Sequence, residues 1–163
     1  MASTYHIERA YHSPMKKLIL AVVLACVVLP TTNARADVAL GLFFGRPSGI
    51  DLKFDLQPRS SLDALFGWST FERGRAGYGH LTYLYTLAAG RGRSVIIPIR
   101  IGIGAAVFGN SDHLDVGGRV PLELGFRFRS TPLELYLEGA LLLIATHGGD
   151  VDGQFGVGLR FYF

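Results

Sequence analysis

Strict alternation limits what this chain can become more than any other feature. In the last nine residues, Phe155, Val157, Leu159, Phe161 and Phe163 occupy every second position, with Gly156, Gly158, Arg160 and Tyr162 between them. A repeat of two is that of a β-strand, whose successive side chains point to opposite faces. No amphipathic helical period of useful length appears after Asp37. Clusters of Gly, Pro, Ser and Asp punctuate the alternation instead.

Reading from cluster to cluster predicts eight strands. They run about Val38 to Gly45, Ile50 to Leu56, Ser61 to Ser69, Tyr78 to Leu87, Val95 to Phe108, Gly118 to Phe128, Leu133 to Ile144 and Phe155 to Phe163. One face carries residues such as Leu52, Phe66, Trp68, Tyr83, Ile101, Ile103, Leu122, Leu137 and Leu141, and no charge falls on it. The other face carries Asp51, Lys53, Asp55, Asp63, His80, Thr82, Arg100, Glu123, Arg127, Glu134, Tyr136, Glu138, Arg160 and Tyr162. A chain set in hydrocarbon shows this partition, because an Arg or Lys on a lipid-facing wall at mid-depth costs about 2–4 kcal/mol.

Alternation alone does not say which face is outside; a soluble barrel of the same strand number would enclose the apolar face. Three features favour the membrane. The chain ends on an aromatic strand and begins with a secretory leader. The polar face mixes six acids with four bases, suited to mutual pairing. Gly102, Gly104, Gly125, Gly156 and Gly158 share that face, which suits a crowded interior and would gain nothing in open water. Pro98 and Pro121 fit badly, since a closed barrel has no edge on which to leave an amide unpaired; bulges near the strand starts are the expected remedy.

Residues 15–36 read as the leader: Lys16-Lys17, an apolar run from Leu18 to Leu29, a polar break, and Ala34-Arg35-Ala36, with cleavage after Ala36. The apolar run is shorter than the roughly 20 residues of a spanning helix. Met15 stands as the start, and residues 1–14 read as an over-long extension. Cys26 offers a rival route, lipidation within Val23-Leu24-Ala25-Cys26, although apolar residues follow it. Residues 37–163 read as one domain without cysteine, hence without disulfide or thiolate chemistry. Arg9, Lys16, Lys17, Arg35 and Glu8 precede Asp37, so this domain holds 12 of the 16 basic and 12 of the 13 acidic residues. A balanced domain is no nucleic-acid surface.

Several stretches carry a family resemblance: Gly45-Arg-Pro-Ser-Gly49, Leu65-Phe-Gly-Trp-Ser69, His80-Leu-Thr-Tyr-Leu-Tyr85, Arg119-Val-Pro-Leu-Glu-Leu124, Pro132-Leu-Glu-Leu-Tyr-Leu-Glu138 and Gly156-Val-Gly-Leu-Arg-Phe-Tyr-Phe163. In these the chain resembles the small eight-stranded outer-membrane β-barrels of the OmpA/OmpX kind, and more closely a widespread bacterial family of such barrels. The resemblance implies an all-β, antiparallel up-and-down transmembrane barrel in the cell outer membrane. It also implies that Phe161 and Phe163 address the chain to the barrel-assembly machinery. Outer-membrane lipids and lipopolysaccharide are the implied surroundings. The family often has an acid where Thr82 stands here.

An eight-stranded barrel encloses a space that side chains just fill. Asp51, Lys53, Asp55, Asp63, Arg100, Glu123, Arg127, Glu134, Glu138 and Arg160 are therefore expected to form a paired plug, since buried ions persist only when paired and hydrogen-bonded. The expectation is a structural, non-enzymatic protein without cofactor or metal. Two other readings stand beside it: an enzyme acting on lipid A or phospholipid, and a narrow pore or small-ligand carrier. For an enzyme, the only nucleophile–base candidates are loop residues, Ser111 with Asp112 and His113, or Thr146 with His147. Gly149-Asp150-Val-Asp152-Gly153 lacks the ligand series and distal glutamate of a calcium loop. Trp68 and Phe71 toward one rim, and Tyr85, Phe161, Tyr162 and Phe163 toward the other, are expected to form interfacial girdles. Both termini should face the periplasm. The outward connections are then about Arg46 to Gly49, Thr70 to Gly77, Gly109 to Gly117 and Thr146 to Gly153.

Overall fold

The structure, a computed structural model, describes residues 37–71, 74–109, 114–146 and 149–163. The leader assigned to 15–36, with Cys26 and the cleavage residue Ala36, lies outside them. Eight strands follow in order: β1 Val38–Arg46, β2 Ser48–Gln57, β3 Ser60–Phe71, β4 Gly74–Arg91, β5 Val95–Gly109, β6 Leu114–Phe128, β7 Leu133–Ile144 and β8 Val151–Tyr162. Each pairs antiparallel with the next, and β8 pairs with β1, so the sheet closes into a barrel with no edge strand. The two termini of the barrel segment meet at one end, where the Phe163 amide donates to the Val38 carbonyl at 2.9 Å.

The strands run longer than the turn residues suggested. The segments expected as outward loops at Thr70 to Gly77 and Gly109 to Gly117 are mostly strand, leaving 72–73 and 110–113 between elements. β8 starts at Val151, four residues before Phe155, and β4 continues to Arg91 through the expected turn at Ala88. Glycine and polar residues mark turns when nothing else satisfies the backbone. Here the neighbouring strand supplies the hydrogen bonds, and pairing overrides composition.

The expected bulge accompanies one proline and not the other. Register shifts occur between Asp55 and Gln57 and between Thr86 and Ala88; the second lies on β4 beside Ala89, the partner of Pro98 near the start of β5, whereas no shift adjoins Pro121. Between β5 and β6 the pairs Val95–Phe128, Ile99–Leu124 and Gly104–Arg119 all keep one register, so no bulge is present. Nor does Pro121 lie near a strand start, because β6 begins at Leu114. Each proline ring faces a glycine. A Cβ built on Gly125 would lie 3.0 Å from Pro98 Cγ, and one on Gly102 would lie 3.0 Å from Pro121 Cγ. On their other sides, Pro98 pairs with Ala89 and Pro121 with Ala140. An antiparallel residue directs its N–H and C=O to a single neighbour. Each proline therefore needs to lose its bond on one seam only, and the β5–β6 pairing is the one interrupted at both.

Orientation follows from exposure. Leu122 is 56% exposed, whereas Glu134 and Arg160 are wholly buried. Leu42, Phe66, Leu81, Ile103, Leu137 and Leu141 likewise face outward, while Asp51, Lys53, Asp63 and Glu123 are inside. The apolar face is the outer wall. Water would penalise such a surface, and hydrocarbon would not.

Candidate functional site in the barrel interior

The interior is built from alternate residues of all eight strands, and a single arginine organises its centre. Arg160, on β8, donates from Nε to Asp51 Oδ2 at 2.5 Å, from Nη1 to Glu123 Oε2 at 2.7 Å and from Nη2 to Asp63 Oδ1 at 2.6 Å. Its guanidinium also lies 3.6 Å from the centroid of the Tyr136 ring, whose hydroxyl donates to Asp51 Oδ2 at 2.5 Å. Glu123 bridges to a second arginine, since its other oxygen accepts from Arg100, and Arg100 also donates to Glu134. Tyr162 donates to Glu134 Oε2 at 2.6 Å and accepts from Lys53 Nζ at 3.1 Å. Delocalised, planar guanidinium groups suit this role because each can serve several carboxylates in fixed directions.

Glycines make the space. Gly158 stands opposite Tyr136 in register, and a Cβ there would fall inside the Tyr136 ring. A Cβ on Gly125 would press between Glu134 and Arg100. These positions let large polar side chains cross the barrel axis.

At the end that carries the termini, Arg127 reaches Asp37 Oδ2 at 3.1 Å and Asp55 Oδ2 at 3.5 Å, half-exposed, with its guanidinium 3.8 Å from the Tyr162 ring centroid. Lys53 also meets Asp55 Oδ1 at 3.0 Å. Towards the other end, Arg119 forms a second knot. It donates to Glu138, to Gln154 Oε1 at 3.2 Å and to Thr82 Oγ1 at 3.2 Å, and it lies 3.1 Å from His80 Nε2. That same His80 nitrogen lies 3.2 Å from Asp63 Oδ2, which links the two knots. Beyond them an apolar stopper of Phe43, Leu65, Phe108 and Leu142 packs with Tyr78. Phe43 stacks on Tyr136 at 5.6 Å between centroids.

All ten residues expected in the interior network lie on the inward face; nine of them pair with another of the ten, and Glu138 pairs with Arg119 instead. Arg119 was missed, although it shares the parity of Glu123 and Arg127 on β6; it sat at the start of the expected strand, where alternation is hardest to anchor. Gln154 was missed because β8 was begun too late. Tyr162 was expected in a rim girdle as well as on the polar face, and it lies inside, 5% exposed. Trp68, Tyr85, Phe161 and Phe163 do face outward, while the Phe71 side chain lies outside the described residues. Of the loop candidates, Ser111, Asp112, His113 and His147 also lie outside the described residues. Thr146 donates to Asp115, and Asp152 accepts from Arg46 at 2.9 Å. Among the described residues, no group of three His, Cys, Asp or Glu is arranged to hold a metal ion.

No family model and no curated protein matches the sequence. Among solved structures, the chain is similar to the N-terminal β-barrel domain of Pseudomonas aeruginosa OprF. That likeness has 16% identity and a TM-score of 0.62, and covers 78% of this chain and 98% of that one. The outer membrane enzyme PagL aligns at 16% identity with a TM-score of 0.49, over 77% of this chain and 99% of that one. The likeness to the OprF domain is one of fold. With the apolar outer wall and the closed, edgeless sheet, that fold makes this chain a transmembrane β-barrel of the outer-membrane type.

Proposed function

We propose that the protein is a non-enzymatic, structural component of the outer membrane, a plugged barrel that contributes to envelope maintenance. The observation that supports this reading is the chain of partners across the interior, from Arg127 and Asp55 through Arg160 and His80 to Arg119 and the apolar stopper. A pore needs a wetted, uninterrupted lumen, and these mutually paired ions occupy the space that water would need. Lipopolysaccharide and outer-membrane phospholipid are its surroundings, and the barrel-assembly machinery its route there.

Purified, folded protein in planar bilayers is expected to give no discrete conductance steps, and to leave lipid A and phospholipid chemically unchanged. Loss of the gene is expected to make cells more sensitive to detergents, with rescue by His113→Ala and His147→Ala variants. Stepwise conductance would overturn the plug, and lipid turnover abolished by either histidine variant would replace this reading with an enzyme.

A further inference from the structure

Among the described side chains, the two rims of the barrel differ in charge, and nothing in the interior plug accounts for it. At the end that carries the termini, each hairpin connection carries arginine: Arg59 between β2 and β3, Arg91 at the end of β4 with Arg93 between β4 and β5, and Arg129 between β6 and β7. All four are exposed, and their guanidinium groups make no ion pair or side-chain hydrogen bond among the described residues. The acids at that end, Asp37 and Asp55, are already engaged by Arg127 and Lys53. At the opposite end, the described side chains reverse the balance, with Arg46 set against Asp115, Asp150 and Asp152.

We infer that this arginine ring is a binding surface for anionic phospholipid headgroups of the periplasmic leaflet. Depth argues for lipid. The four arginines lie just past the apolar wall, whose last outward residues here include Leu56, Tyr85, Leu87 and Phe161. Side chains that snorkel from such a position reach the headgroup phosphates. Distribution argues for it too. The arginines sit on three separate hairpin connections around the mouth, where a shell of lipids touches every side, whereas a compact acidic protein would dock on one. Guanidinium is also the side chain best matched to two oxygens of a phosphate. The inference rests on the transmembrane placement of the barrel and holds whether or not its role is structural.

The test uses the full chain isolated from the outer membrane into a neutral detergent. Phosphatidylglycerol or phosphatidylcholine is added, and retained lipids are counted by native mass spectrometry. Phosphatidylglycerol is expected to be retained preferentially, by on the order of five-fold for each arginine engaged. The combined variant Arg59→Gln, Arg91→Gln, Arg93→Gln, Arg129→Gln should bind the two lipids equally, while Arg46→Gln at the other rim keeps the preference. Each single variant should lose a few-fold, which preserves the test if the combined variant fails to show the heat-modifiable gel mobility of a folded barrel. Millimolar inorganic phosphate should not displace the lipid. Equal retention by the unaltered protein, preference surviving in the folded combined variant, displacement by phosphate, or co-sedimentation with peptidoglycan sacculi in place of lipid selectivity would each overturn the proposal.

Discussion

Replacing Arg160 by methionine tests the interior most directly. Methionine approximates the length of the side chain and removes its charge, so the experiment isolates the ion pairs from the packing. Three carboxylates lose a partner at once, but unequally. Glu123 keeps Arg100, and Asp63 keeps His80 Nε2 at 3.2 Å. Asp51 keeps only the Tyr136 hydroxyl, and it is fully buried. Breaking a buried ion pair by removing one partner costs about 3–5 kcal/mol, chiefly because the remaining charge is stranded. Arg160→Met should therefore destabilise the barrel by about that amount. Adding Asp51→Asn to it should recover about 1–3 kcal/mol, the penalty of an unsatisfied buried polar group. In the otherwise unaltered protein, Asp51→Asn should instead destabilise, because it breaks the same pair from the other side.

The assay is equilibrium unfolding in urea with the barrel in lipid vesicles, read by fluorescence of Trp68, the single tryptophan, which faces outward. A cost below about 1 kcal/mol for Arg160→Met would mean that water reaches the site, as for an exposed pair. Strictly additive losses in the double variant would mean that Asp51 and Arg160 do not depend on each other. Either outcome refutes the plug as drawn.

Other substitutions probe the remaining parts of the structure. Gly158→Ala places a methyl group inside the Tyr136 ring and should cost about 1–3 kcal/mol or prevent folding, with heat-modifiable gel mobility as the readout. Leu122→Arg, on the outer wall, should cost about 2–4 kcal/mol in lipid vesicles, and a negligible cost would place that face away from hydrocarbon. Arg119→Met strands Glu138, whose one ion-pair partner among the described residues is that arginine, and should cost about 3–5 kcal/mol in the same urea titration. The second knot would be superfluous if that variant unfolded with the parent protein.

The division of residues between two surfaces was legible in the order of amino acids alone. Period two is a local property, so Leu122 and Glu123 had to point opposite ways wherever the strand lay. Eight alternating segments then pointed to a closed barrel, and the aromatic last strand, the leader and the paired charges and glycines of the polar face favoured the membrane over water; strand existence could be read without any knowledge of partners.

Which groups meet was settled by closure of the barrel. Arg160 and Asp51 are separated by 109 positions, and they touch because β8 closes on β1 and β1 pairs with β2. Nothing local in either segment encodes that distance. The same closure set the strand ends, since residues such as Gly117 and Ala88 with weak intrinsic preference become strand once a neighbour supplies their hydrogen bonds. It also set Pro98 against Gly125 and Pro121 against Gly102, pairings that depend on register across β5 and β6. Alternation is a one-residue rule, whereas a salt bridge across a barrel depends on shear and register, and those exist only once the cylinder is closed.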